Sequence, residues 1–391
     1  MKKLLSVFLV LVLMAAALVG CSKAPSQPAA SGADAEEIKI GINYELSGGV
    51  AAYGQANLEG IELAVEQINA AGGVDGKMIK LVTYDNKSDH AEATTLANRM
   101  MTQDGVLAAI GPATSGAFKA TIPVAEKNEV PVVSGSATAD DVTVDDKGLK
   151  EYAFRICFND SYQGTAMADF AMNTLGAKNA VIIMDSSSDY GKGLAKNFKE
   201  QFERNGGKVV AEESYVEKDT EFNAILTKIK GEDFDVIFIP GYYEEAGLII
   251  KQARAQGIDT PILGADGFDS PDLLELAGAD ALNDVYFSNH YSSLDQDPVV
   301  LKFIEDFKAK YGKDPNAFHA LGYDAMKFVA DAVGRAANLD GPSVKDALAS
   351  TENFVGVTGS FSIDENHNPV KSIVVIGLKD GVQDSITRSG E

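Results

Sequence analysis

Cysteine is nearly absent from this chain. Two occur in 391 residues, Cys21 and Cys157, and tryptophan is missing altogether. A fold stapled by several disulfides is therefore excluded. Basic residues are scarce beside acidic ones, 34 against 57, for a formal net charge of −23. Such a chain is repelled by nucleic acid and by anionic lipid headgroups, so a nucleic-acid partner is not expected. Histidine is limited to His90, His290, His319 and His367. None stands three or four residues from another, so no metal site is expected. Nucleotide signatures are missing too. The loop Glu45-Leu46-Ser47-Gly48-Gly49-Val50 has no Gly-x-Gly-x-x-Gly, and Gly191-Lys192-Gly193 has Lys196 where the third glycine belongs. The run Gly72 to Lys77 is one residue short of a P-loop and is followed by Met78. The Gly-x-Ser-x-Gly elbow is absent. Neither an enzyme nor a cofactor is expected.

The N-terminus carries the first positive signal. Lys2 and Lys3 precede an apolar run, Leu4 to Val19, broken only by Ser6. The run ends in Leu18-Val19-Gly20-Cys21. This reads as a signal peptide over residues 1–20, too short and wrongly flanked for a membrane span. Its ending resembles the bacterial lipoprotein signal, in which the cysteine thiol is acylated and becomes the first residue. Loss of the signal leaves 371 residues and a charge of −25, since Lys2 and Lys3 leave with it. No second apolar run is long enough to span a bilayer. Residues 21–37, rich in Ala, Ser, Pro and acid, read as a flexible tether. If Cys21 carries lipid, Cys157 has no partner. Within Phe154–Phe158 it reads as a small buried hydrophobe.

From Ile38 onward short apolar strands alternate with helices. Strands are expected at Ile38–Tyr44, Met78–Asp85, Val106–Ile110 and Val130–Val133, with helices at Gly54–Ala70, Ala91–Met101 and Phe118–Lys127. A second series begins near Asp160, with strands at Ala180–Met184, Lys208–Ser214, Phe234–Ile239 and Pro261–Leu263. Its helices are expected near Gly191–Asn205, Thr220–Lys230 and Glu244–Gln256. The pattern predicts parallel sheets covered on both faces, in two similar α/β lobes. Beyond Val285–Tyr291, helices at Pro298–Tyr311, Phe318–Ala337 and Val344–Ala349 and strands at Gly359–Ile363 and Ser372–Leu378 are too few for a third domain. They are expected to complete the two lobes, so the chain crosses between lobes more than once.

Ligands of open α/β folds bind at the carboxyl ends of strands. Three such ends carry polar groups. Gly111 to Gly116 joins a strand to a helix, where free N–H groups and the Ser115 hydroxyl suit a carboxylate, although Ser115 is equally well a plain helix cap. The loop Val133 to Thr138 exposes the Ser136 and Thr138 hydroxyls, which also suit an ordinary turn. Asp266, after Pro261-Ile262-Leu263, is an acceptor that could face a cleft or form a turn. Two donor loops from one lobe and an acid from the other would match a zwitterion. Tyr53, Tyr190 and Tyr242 stand at comparable strand ends, where they could wall a pocket or cap a core.

These residues resemble the substrate-binding lipoproteins of branched-chain amino-acid ABC transporters, the leucine/isoleucine/valine group of type I periplasmic binding proteins. The likeness runs from about Ile38 to Leu378. It is clearest at Leu46-Ser47-Gly48 through Tyr53-Gly54, Asp85-Asn86, Ser134 to Ala139, Asp189-Tyr190-Gly191 and Gly241-Tyr242. The resemblance implies two doubly wound α/β lobes joined by a three-strand hinge and closing like a flytrap. Lobe I would take residues 38–157 plus 289–371, and lobe II residues 158–288 plus 372–391. It implies that Ser115 holds the ligand carboxylate, beside Ala113 and Thr114. Ser136, through a backbone carbonyl, and Thr138 would fix the α-carbon groups, and Asp266 would take the ammonium. Tyr53, Tyr190, Tyr242 and Phe318 would form the aromatic wall.

Two departures stand out. Ser88 and Thr114 occupy positions that form a disulfide in some members, and Asp266 stands where some have glutamate. The implied role is capture of an L-amino acid such as Leu, Ile or Val by a monomer. The lipid on Cys21 would hold it at the outer face of the cytoplasmic membrane, or in a periplasm if the cell has two membranes. Its partner would be the transporter permease. Alternatives are an aromatic amino acid, a short amide or urea as ligand, or service as a sensor for a membrane receptor.

Overall fold

The computed structural model describes residues 37–389. The signal segment 1–20, Cys21 and the tether up to residue 36 lie outside the described residues. The described residues form one compact unit.

Two sheets organise this unit. The first contains β1 (Ile38–Tyr44), β2 (Ile79–Asp85), β3 (Ala108–Ile110), β4 (Val132–Ser134) and β5 (Ala153–Arg155). Their order is β2-β1-β3-β4-β5, all parallel, with Ile40 of β1 opposite Leu81 on one side and Ala108 on the other. Six of the seven residues of β1 are buried, which is why the strand reads as continuously apolar rather than alternating. The second sheet contains β6 (Asn179–Asp185), β7 (Lys208–Tyr215), β8 (Val236–Phe238), β9 (Ile262–Gly264), β10 (Val285–Asn289), β11 (Ile373–Lys379) and β12 (Val382–Ser389). Their order is β12-β11-β10-β9-β8-β6-β7.

This second sheet corrects the expectation of purely parallel strands. β11 runs antiparallel to β10, and β12 antiparallel to β11. The cause is local. Asp380 and Gly381 both take positive φ, 50° and 77°, in a two-residue turn that can only make a hairpin. The strand Gly359–Ile363 expected from sequence is shorter, Gly359–Phe361. It pairs only with Phe354–Gly356, in a separate ribbon outside both main sheets.

The helices are α1 (Ala51–Ala70), α2 (His90–Arg99), α3 (Ser115–Asn128), α4 (Asp160–Asn173), α5 (Asp189–Arg204) and α6 (Asn223–Ile229). They continue with α7 (Tyr243–Ala255), α8 (Pro271–Ala277), α9 (Pro298–Tyr311), α10 (Ala317–Arg335) and α11 (Gly341–Ala349). Neither α4 nor α8 was expected. α4 hides its apolar stripe because its buried positions are largely small, Gly164, Ala166, Ala168 and Ala171 beside Met167 and Phe170, so its hydrophobic period is faint. Its signal is a cap: the Asn159 side chain accepts from the Tyr162 N–H at 2.9 Å.

The chain passes between the lobes three times. It leaves the first sheet after β5, returns after β10 so that α10 packs on α1, and leaves again into β11. Buried cations tie these passages together. Arg155 Nε donates to Asn368 Oδ1 at 2.6 Å, and Lys371 Nζ donates to the Ile156 carbonyl at 3.2 Å and to Thr358 Oγ1 at 2.8 Å. α1 and α10 approach unusually closely. A Cβ on Gly60 would lie 2.0 Å from the His319 carbonyl oxygen, and one on Gly322 would lie 2.1 Å from that of Asn57. That approach lays the Tyr53 ring on Phe318, with centroids 4.3 Å apart.

Candidate ligand-binding site

The carboxyl ends of β1, β3 and β4 build one side of a cleft. Glu45, just beyond β1, is fully buried, and its carboxylate accepts from the Ala113 N–H at 2.9 Å, the Thr114 N–H at 3.2 Å and Thr114 Oγ1 at 2.9 Å. Burial pushes its pKa up, and those hydrogen bonds pull it back. Glu45 thereby fixes the loop that opens α3. The Ser115 Oγ accepts from the Ala139 N–H at 3.1 Å, which leaves its own O–H to donate, beside the free N–H groups of the first turn. Thr114, not Ser115, is the cap residue, and it makes no side-chain cap bond. Ser134 Oγ donates to the Pro112 carbonyl at 2.9 Å and accepts from the Ala137 N–H at 3.0 Å. Ser136 Oγ donates to the Ala113 carbonyl at 3.0 Å, so the two donor loops brace each other. Ser88 and Thr114, at the positions that the resemblance pairs as a disulfide in some members, bond instead to Ser47 and Glu45.

The second lobe presents acids and rings. Asp266 is buried, accepting from the Tyr190 hydroxyl at 2.8 Å on Oδ1 and facing His290 Nε2 at 3.2 Å on Oδ2. Asp160, at the start of α4, is fully buried, with its Oδ2 unpartnered. Burial raises its pKa far above the carboxylate range. The Thr138 hydroxyl is its neighbour and draws the pKa back down, although the pair does not reach hydrogen-bond geometry. Gln163 links the two acids. Its Nε2 donates to Asp160 Oδ1 at 3.3 Å, and its Oε1 accepts from the Asp266 N–H at 3.3 Å and from Ser288 Oγ at 2.9 Å. Among the described residues no lysine or arginine pairs with Asp160 or Asp266.

Tyr190 stacks on Tyr242 with centroids 5.0 Å apart, and Tyr53 meets the Tyr242 edge at 5.7 Å. Burial raises the pKa of all three hydroxyls, so they stay neutral donors. The cleft is shut. Tyr53 Oη donates to the Gly267 carbonyl at 2.5 Å, and Tyr243 Oη donates to the Gly49 carbonyl at 3.1 Å. At the mouth, Lys119 bridges Asp141 at 2.5 Å and Asp189 at 2.9 Å.

Tyr53, Ala113, Thr114, Ser115, Ser136, Tyr190, Tyr242, Asp266 and Phe318 all line one cavity of about 10 Å³, with Gly267. Thr138 lies behind that lining, fully buried against Asp160. Thr114 lines it too, but its N–H and hydroxyl are held by Glu45. Sequence reasoning missed Glu45, Asp160, Gln163 and His290 as site residues. Glu45 and His290 each follow a main-sheet strand directly, so the strand-end rule applied to every strand would have marked both. Cys157 is buried, and burial pushes its thiol up to about 12. Among the described residues no group of three or more His, Cys, Asp or Glu side chains is placed to hold a metal ion, and no helix is long and apolar enough to cross a membrane.

Two α/β lobes shut on a small cavity, with donors on one side and acids on the other, define a solute-binding protein rather than an enzyme. The chain belongs to the periplasmic binding protein family, which it matches over residues 37–383. It is 31% identical over 332 residues to the leucine-, isoleucine-, valine-, threonine- and alanine-binding protein of Pseudomonas aeruginosa, covering 85% of this chain and 87% of that one. Among solved structures it is similar to the branched-chain amino acid transporter substrate-binding protein LivJ of Streptococcus pneumoniae, in complex with isoleucine. The two are 44% identical with a TM-score of 0.86, over 90% of this chain and 99% of that one. It is also similar to the leucine-binding protein LivK of Thermotoga maritima, 38% identical with a TM-score of 0.83, over 90% of this chain and 98% of that one.

Proposed function

We propose that this protein captures a branched-chain L-amino acid by closure of its two lobes and delivers it to an ABC importer. The observation that carries this reading is the polarity of the cavity. The α3 N-terminus and Ser115 hydroxyl offer donors on one side, while Asp266 offers a buried carboxyl with no lysine or arginine paired to it and the buried Asp160 lies behind the lining. A zwitterion supplies the missing partner to both ends at once, and buried charge must be paired to be tolerated. The carboxylate lies on α3 and Ser115. The ammonium lies between the Ser136 carbonyl, Thr138, Asp160 and Asp266. The side chain lies among Tyr53, Tyr190, Tyr242 and Phe318.

Similarity to proteins named for leucine, isoleucine and valine favours aliphatic side chains. One methylene changes binding by only about 1–3 kcal/mol, so the three would share the pocket. The lobes would divide at 157/158, 288/289 and 371/372. The protein would act as a monomer outside the cytoplasm, anchored to the outer face of the membrane by lipid on Cys21 and docking on a permease.

The test is a thermal-shift screen of the chain from Ser22 onward against all amino acids, short amides and urea, followed by calorimetric titration. Leucine, isoleucine and valine are expected to raise the melting temperature, since ligand well above its Kd stabilises by a few kcal/mol. Stabilisation by non-amine compounds alone would sink the reading.

A further inference from the structure

His290 follows the last residue of β10, at one of the passages between the lobes. Its side chain is fully buried, and its ring stacks on Phe158 with centroids 3.6 Å apart. Nε2 faces Asp266 Oδ2 at 3.2 Å, while Nδ1 is buried with no hydrogen-bond partner. An ionised carboxylate only accepts, so Nε2 carries the hydrogen and Nδ1 is the bare lone pair of a neutral ring. A protonated ring would bury an N–H at Nδ1 with nothing to accept it. The geometry thus favours the neutral ring.

We propose that His290 is a positioning residue for ligand capture: as a neutral ring it holds the Asp266 carboxylate in place for the ligand ammonium, and its protonation weakens that capture. The proposal rests on the reading of Asp266 as an ammonium acceptor. A charged imidazolium would pair with Asp266 and compete with the ligand cation for the same oxygens. The shorter aspartate depends on such a brace. Tyr190 holds Oδ1 and His290 holds Oδ2, which leaves the carboxylate no freedom to turn away.

The neighbours agree. Asp266 draws a proton to the ring, and Lys371, from the segment before β11, repels one. Asp160 on α4 faces Asp266, as do Tyr190 on α5, Cys157 after β5 and Asp269 beyond β9. Burial outweighs the attraction of Asp266 and holds the His290 pKa near 4, against an ordinary 6.5. A proton that the ring carries in an open form is disfavoured once the cleft shuts, so protonation opposes closure by linkage.

The experiment is calorimetric titration of L-leucine between about pH 4.5 and pH 8 on wild type, His290→Gln and His290→Leu. Glutamine can still donate to Asp266 but does not titrate. Wild type is expected to lose affinity in acid, approaching about tenfold per pH unit where the ring protonates. His290→Gln should bind within about threefold of wild type at pH 8 and show a flatter acid limb, whereas His290→Leu should lose about tenfold at pH 8. Nitrogen-15 spectra of the wild-type imidazoles give a readout that needs no variant: one ring should have its titration midpoint lowered by leucine. Identical acid limbs in wild type and His290→Gln, or a midpoint unmoved by leucine, overturn the proposal while the ligand reading stands. Failure of every amino acid to bind at any pH overturns both.

Discussion

The Tyr53 hydroxyl donates to the Gly267 carbonyl at 2.5 Å across the cleft, and it also accepts from the Tyr243 N–H at 3.3 Å. One phenol on α1 therefore latches the second lobe in two places, and both bonds exist only when the cleft is shut. Tyr53→Phe keeps the ring on Phe318 and removes the latch. A neutral hydrogen bond contributes about 0.5–1.5 kcal/mol, so the ligand off-rate should rise about threefold to tenfold with little change in on-rate. Stopped-flow fluorescence measures both, and an unchanged off-rate would show that the latch is idle.

The two buried acids should respond differently to neutralisation. Asp266→Ala is expected to cost about 2–5 kcal/mol of ligand binding, the range for truncating one partner of a buried charge pair. Asp160 carries a buried Oδ2 with no protein partner, so Asp160→Asn should weaken binding yet raise the melting temperature measured without ligand. Calorimetry and thermal melts separate the effects. A destabilised free form of Asp160→Asn would mean that this acid serves the fold rather than the ligand.

Glu245 on α7 accepts from the Lys218 N–H at 2.7 Å, yet burial pushes its pKa up to about 7 from 4.5. The folded form thus keeps a proton that the unfolded chain releases. Its share of stability is full below the unfolded value and declines as pH rises from 4.5 to 7. Glu245→Gln should remove that decline, lifting the melting temperature at pH 7 by a few degrees, about 2–4 °C per kcal/mol or less in a chain of this size, relative to its value at pH 5. Parallel slopes for wild type and variant would refute this.

Gly322 sits where α10 crosses α1, and a Cβ there would lie 2.1 Å from the Asn57 carbonyl oxygen. Gly322→Ala must push the helices apart. A loss of about 1–3 kcal/mol in chemical denaturation is expected, the usual cost of overpacking. Because α1 carries Tyr53 and α10 carries Phe318, ligand affinity should fall as well. Unaltered stability would mean that the helices yield at no cost.

Much of the architecture was legible because it follows from local rules. Short, fully apolar runs such as Ala108–Ile110 and Val236–Phe238 read as buried strands, and the alternation of strand and helix pointed to α/β lobes. The exceptions have local causes too. The Asp380-Gly381 turn makes a hairpin where parallel strands were expected, and α4 buries mostly small residues, which blurs its period. Loop residues such as Ser115, Ser136 and Asp266 stood out because they end strands.

Chain order and side-chain polarity determine which residues are buried and which strand ends carry chemistry, since burial and backbone geometry depend on near neighbours. They do not determine which of those ends meet. Glu45 finds Thr114 69 positions away, and Gln163 finds Asp266 at a separation of 103. Nothing local marks an acid as the brace of a distant loop, or a histidine as the neutral partner of a binding carboxylate. Such pairs form only when folding removes water from both members and leaves each the other's best hydrogen-bonding partner.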